Sequence, residues 1–197
     1  MNFGALIDQY LAARPHSSAE VLKRPSPVPA APGIYGWWFR TLPAEIRVAG
    51  CQRHGDLTLL YAGISPSSPP ANGKPPSQQN IRKRIRYHYR GNAYGSTLRK
   101  TLGCLLAEQL TIELRRVGSG TRLTFAAGEA ALNDWMAENA FVSWIAIPEP
   151  WLLERYLFNT FDLPLNLQDN SHNAFHERLS RIRAGAVARA RALPVLK

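Results

Sequence analysis

Phe3, Leu6, Ile7, Tyr10 and Leu11 recur at helical spacing, which predicts a short amphipathic helix over residues 3–13. Residues 14–32 carry five prolines and read as a connector. Two apolar runs of strand length follow, GIYGWWF (33–39) and LTLLYAGI (57–64), with a polar loop holding Gly50 and Gly55 between them. SPSSPPANGKPPSQQ (65–79) has five prolines in fifteen residues and predicts a long loop. A helix over 80–91 starts at an asparagine cap, Asn80, and stops at Gly91. Further helices are predicted over 96–110, capped by Ser96, over 128–140, and over 148–161, where a proline suits the first turn. FVSWIAI (141–147) reads as a strand, and 173–192 as a basic helix with Arg178, Arg181, Arg183, Arg189 and Arg191. No internal repeat is visible. The pattern predicts an α/β fold, one small sheet with helices packed on it. A helix and Pro-rich connector would occupy 1–30, the main domain 31–168, and a basic helical extension 169–197.

Charge changes this picture more than composition does. Lys and Arg number 24 against 14 Asp and Glu, so 24 − 14 gives +10 and a pI near 10.1. A field of that size favours polyanions, DNA first, with RNA not excluded. Charges interrupt every apolar stretch well before the roughly 20 residues of a membrane span. The first fifteen residues lack a basic start and carry Asp8 inside their apolar run, unlike a signal peptide. Cys51 and Cys104 form no CxxC. The expectation is a cytoplasmic protein without membrane, disulfide or zinc ribbon. His172 and His176 are spaced i, i+4 but lack a third zinc ligand, and read as surface.

Two charged residues fall on apolar faces. On a helical wheel from Ile81, Ile85 lies near 40° and His88 near 340°, while Arg82, Lys83, Arg86 and Arg90 spread over roughly 100–200° as an outer basic face. Arg84 falls near 300°, beside Ile81 and His88. A half-buried guanidinium needs an anion, either a structural carboxylate or a phosphate. From Pro150, Trp151, Leu157, Phe158 and Phe161 form an apolar face with Glu154 at about 40° in its midst. Either Arg84 or a divalent cation would compensate that carboxylate. One site accommodates both residues, a phosphodiester held between Arg84 and a metal on Glu154. A tyrosine from the strands, Tyr35 or Tyr61, or a histidine would then move the proton of the attacking water. Arg99 and Lys100, near the helix start at Ser96 and Thr97, suit a phosphate backbone or simple capping. The tail arginines suit a phosphate backbone or a solvated face. Trp37 and Trp38 read as core, with stacking on a base as their other use.

GIY at 33–35 and YAG at 61–63 resemble the paired strand motifs of the GIY-YIG nucleases. Arg84 with His88 resembles that family's helix pattern, Glu154 its metal-binding glutamate, and Asn166 in LPLN the asparagine that follows. The resemblance covers 32–167. It implies a small three-stranded, largely antiparallel sheet flanked by helices, and Mg²⁺- or Mn²⁺-dependent hydrolysis of DNA with the metal on Glu154. It implies Tyr35 as general base or water-positioning group and Tyr61 and His88 as shaping and relaying groups. Gly33, Gly63 and Asn166 would support the site. Two departures stand out. Ala62 replaces Ile or Val, and Ile64 stands where the family often has lysine, unless Lys74 or Lys83 reaches in. With the long loop 65–79, these departures support an alternative, a nucleic-acid-binding module with weak or no turnover.

Overall fold

The computed structural model describes residues 3–70 and 77–197; Lys74 and the middle of the loop expected over 65–79 lie outside them. The chain order is α1 (Phe3–Ala12), α2 (Ser18–Leu22), β1 (Gly33–Phe39), β2 (Arg53–His54), β3 (Leu57–Ser65), α3 (Ile81–Arg90), α4 (Thr97–Leu105), β4 (Arg115–Val117), β5 (Arg122–Thr124), α5 (Gly128–Asn139), β6 (Ala140–Ala146), α6 (Pro150–Thr160) and α7 (His176–Ala192). The sheet runs β2-β3-β1-β6, antiparallel throughout. Its three long strands match the expected sheet, and the two-residue β2 is a fourth at the edge. The expected caps are in place: Asn80 accepts from Lys83 N–H at 3.0 Å, and Ser96 from Arg99 N–H at 3.1 Å. The helix expected over 96–110 ends at Leu105, and the chain turns at Thr111 with φ of 51°. The connector holds one helix the proline count hid, α2. It starts with a capping box in which Ser17 and Glu20 satisfy each other's backbone N–H groups.

All seven residues of β1 are buried because helices cover both faces of the sheet. Tyr35, Trp37 and Phe39 enter the larger core, beside Ile81, Ile85, Leu102 and Met136. Ile34 and Trp38 enter the smaller one, beside Tyr10, Leu153 and Leu157. Both tryptophans are core. α7, expected as an extension, supplies Leu179, Ala186 and Ala190 to the larger core.

One irregularity in the pleat decides where the site forms. The register moves from Trp37↔Tyr61 to Trp38↔Leu59, which leaves Leu60 as a bulge. Strand alternation alone would send Tyr61 to the face of Leu57 and Leu59. The extra residue turns Tyr61 onto the face of Tyr35 instead, and both join the larger core. The freed Leu60 carbonyl accepts from Leu165 N–H at 3.0 Å, so the chain after α6 lies along the bulge.

Candidate active site

β1 and β3 bring Tyr35 and Gly63 directly opposite each other. A Cβ on Gly63 would stand 2.6 Å from the Tyr35 hydroxyl and 2.8 Å from its Cζ, so the phenol lies over the bare glycine. A Cβ on Gly33 would strike the Ile145 carbonyl across the β1–β6 pair. Both motif glycines therefore mark close approaches. Gly63→Ala is expected to displace the phenol and cost about 1–3 kcal/mol from overpacking. The measurements are a melting curve and the Tyr35 ring environment by NMR. An unmoved ring would refute the close-approach reading.

The phenol of Tyr35 lies 2.9 Å from His88 Nε2, and His88 Nδ1 lies 2.7 Å from Ser96 Oγ. This chain links the sheet to the last turn of α3 and the start of α4. Burial, with Arg84 and Arg99 nearby, holds His88 well below its ordinary pKa, so the imidazole is neutral. Burial raises Tyr35 far above the ordinary phenol value, against the pull of Arg84. Burial likewise pushes Tyr61 up to about 12.

His88 gives a signed pH dependence. Its proton affinity is depressed in the folded chain, so its stability contribution is present above its unfolded pKa of about 6.5. As pH falls below that, the unfolded chain takes up a proton that the folded chain refuses. His88→Gln keeps a polar side chain but does not titrate. Between about pH 7 and 5 the wild-type melting temperature is expected to fall further than the variant's. Parallel curves would refute a buried neutral imidazole.

An open hollow of about 890 Å³ begins where this chain ends. Tyr35, Tyr61, Gly63 and Ile64 from the sheet line it, with Arg84 from α3 and Glu154 from α6. Arg84 is half-buried on the α3 face that buries Ile81, Ile85 and His88. Its Nη1 donates to the Gly95 carbonyl at 2.8 Å. Burial works against its charge, but the phenols of Tyr35 and Tyr61 more than offset this and hold its pKa above the ordinary value. Glu154 sits half-buried among Leu153, Leu157 and Phe158 of α6. Burial, with the Asp169 carboxylate second, pushes its pKa up to about 7. Among the described residues neither Arg84 nor Glu154 forms an ion pair. The two charges thus face one hollow without neutralising each other.

Asn166 lies at the back of this space. Its Oδ1 accepts from Ala62 N–H at 2.9 Å and its Nδ2 donates to Ala62 C=O at 2.8 Å. Ala62 itself is buried in the smaller core. Asn170 Nδ2 donates to the Leu163 and Asn166 carbonyls at 2.9 and 3.0 Å, which ties this segment to itself. Asp169, in the same segment, lines the hollow at φ of 55°. It carries no motif of its own, and only the three-dimensional return of the chain reveals it.

Two expectations about cations change. Arg99 is fully buried and cannot meet a nucleic-acid backbone. Its Nε and Nη2 reach Glu129 Oε2 at 3.0 and 2.5 Å, and its Nη1 donates to the His88 and Tyr89 carbonyls at 3.1 Å each. The structural arginine–carboxylate pair weighed for Arg84 belongs to Arg99. Arg183, expected on an outer face, turns inward to within 3.3 Å of Thr101 Oγ1, and burial lowers its pKa. Arg82, Lys83, Arg86 and Arg90 are exposed along α3, and Lys100 is half-buried. His172 is exposed and His176 half-buried.

Two tyrosines on one sheet face, an inward arginine on one helix and a carboxylate on another are thus set around one open hollow. A family model described as the GIY-YIG catalytic domain matches residues 33–185, and the chain belongs to that family. No curated protein and no solved structure matches it. No described helix is long and apolar enough to cross a membrane.

Proposed function

We propose that this protein is a divalent-metal-dependent endonuclease that hydrolyses DNA phosphodiester bonds in the hollow between Arg84 and Glu154. The observation that carries this is that Arg84 and Glu154, both half-buried, face one open space without pairing to each other. A buried charge without a partner is costly, and a phosphate with its cation compensates both at once.

The donor set fits a hard cation. Glu154 and Asp169 offer carboxylate oxygens in a space that also admits water. The described residues hold no cluster of three or more His, Cys, Asp or Glu side chains, so water and phosphate oxygens would have to complete the ion's shell. Glu154, with Asp169 beside it, would hold Mg²⁺ or Mn²⁺, which supplies positive charge to the phosphate and its leaving oxygen.

The chain's own groups do the rest. Arg84 is fixed by Gly95 and offers its remaining N–H groups to phosphate oxygens as their charge grows. Tyr35 positions the attacking water. A free phenolate is costly here, because burial raises the pKa of Tyr35. The phenol therefore keeps its proton: it donates to the neutral His88 Nε2, 2.9 Å away, and accepts a hydrogen bond from the water, whose own proton leaves to solvent in the open hollow as its oxygen bonds to phosphorus. Ser96 holds the other ring nitrogen, so the imidazole keeps its orientation. Tyr61 walls the opposite side, and exposed Arg82, Lys83, Arg86 and Arg90 add affinity to the backbone without reading sequence.

The test is nicking of supercoiled plasmid by purified protein with Mg²⁺ or Mn²⁺. Nicking that stops with a chelator and returns with metal is expected. Binding without nicking in either metal overturns the enzyme reading in favour of a binding module. Ile64 in the hollow, where the related motif often has lysine, is the feature on that side.

A further inference from the structure

We propose that Tyr87 is a stacking platform for an unpaired base next to the cleaved phosphate, so that the substrate is DNA with a single-stranded flank at the cut. This rests on the nuclease reading above and adds the substrate's form.

Base stacking needs an accessible aromatic face. Trp37 and Trp38 are 0% and 1% exposed, so neither can supply one. Tyr87, Tyr94 and Tyr156 are the exposed large aromatic side chains among the described residues. Phe3 already stacks on Tyr156, with centroids 5.8 Å apart and rings 3° from parallel. Tyr94 lines neither hollow. Tyr87 lines a second hollow of about 550 Å³, which shares Arg84, Ile64 and Ser67 with the first. A strand whose phosphate rests on Arg84 therefore has its next nucleotide beside this ring. Lys83, one turn earlier on α3, lines the same space and suits the following phosphate.

The ring is held in place for this purpose. The Cε1 side lies so close to Gly91 and Gly95 that a Cβ on either would strike it. The hydroxyl donates to Asn92 Oδ1 at 3.2 Å, and the same oxygen accepts from the N–H groups of Tyr94 and Gly95. Gly95 also anchors Arg84 through its carbonyl. Platform and phosphate-binding arginine thus share one turn, and an exposed ring fixed in advance loses little entropy when a base covers it. A base inside a duplex cannot reach the ring without leaving its own stack, whereas an unpaired one can.

The test uses the full chain in chelator, where no cleavage occurs, and measures binding to a fully paired duplex and to one with a single-stranded extension. Fluorescent 2-aminopurine occupies successive unpaired positions. Wild type and Tyr87→Phe are expected to prefer the extended DNA and quench the probe at one position near the junction. Tyr87→Ala and the bulkier Tyr87→Leu are expected to lose about tenfold of that preference, together with the quench. Equal preference in all four proteins would overturn the platform while leaving the nuclease reading intact. Failure to bind either DNA would overturn the nuclease reading itself.

Discussion

Arg84→Ala and Glu154→Ala should each lower metal-dependent plasmid nicking by about a hundred- to a thousandfold, the usual loss when one preorganised charge is removed from a transition state. In the role proposed for it Arg84 would act on charge that grows as the phosphate reacts, so the loss should fall on kcat more than on KM. Arg84→Lys should recover little, because an ammonium cannot offer two parallel N–H groups to the phosphate. The structural cost should be small in both cases. Neither residue is in a described ion pair, and Arg84 gives up one bond to the Gly95 carbonyl. Glu154→Ala removes a carboxylate whose pKa is already up at about 7, so the metal-free variant should melt no lower than wild type at pH 8. Stable protein without activity is the decisive combination. Nicking by either variant within a few fold of wild type would refute the site.

Arg99→Ala should be the most destabilising single change, though it touches no substrate. It strands Oε2 of Glu129, whose Oε1 keeps the Ala93 and Phe125 N–H groups, and the backbone oxygens of His88, Tyr89 and Glu129, which one guanidinium with no exposed surface now serves. Breaking such a pair costs about 3–5 kcal/mol, roughly 6–20 °C of melting temperature in a chain of this size. Arg99→Met with Glu129→Leu should recover only part of that loss: no charge is left stranded, but the His88 and Tyr89 carbonyls and the Ala93 and Phe125 N–H groups lose their partners. Thermal unfolding followed by circular dichroism measures both. The double variant should still be impaired as an enzyme. The Arg99 guanidinium holds the His88 and Tyr89 carbonyls at the end of α3, the turn that carries the His88 ring. Full activity in the double variant would show that His88 does not depend on this clamp.

Helices and strands were legible wherever the chain states them locally. GIYGWWF and FVSWIAI are apolar runs bounded by turns, and the caps at Asn80 and Ser96 carry their own chemistry. Arg84 and Glu154 stood out because each violates the apolar face of its own helix, a contrast visible in one dimension. What escaped depends on residues far apart. LTLLYAGI is apolar throughout, so nothing in it betrays the bulge at Leu60 that turns Tyr61 to the side of Tyr35. Arg99 read as a contact to a phosphate backbone because Glu129, thirty residues on, cannot be paired with it by inspection. Asp169 follows a return of the chain held by Asn166 and by the Leu60 carbonyl, contacts that join residues about a hundred positions apart. The β4–β5 hairpin is three residues a side, too short to show a period. The helix α2 was missed despite a signal, Ser17 and Glu20 at capping-box spacing.

The order of β2-β3-β1-β6 has a consequence for synthesis on the ribosome. Gly33–Phe39 lies between partners made early and late, and its second neighbour, Ala140–Ala146, emerges about a hundred residues after it. Glu154 and Asn166 come later still. A growing chain therefore exposes a tryptophan-rich ribbon with one open edge for about half of its translation, the condition under which strands pair wrongly. The same delay leaves the hollow without its α6 wall until most of the polypeptide has been made, so an interrupted translation product carries Arg82, Lys83, Arg86 and Arg90 without Glu154.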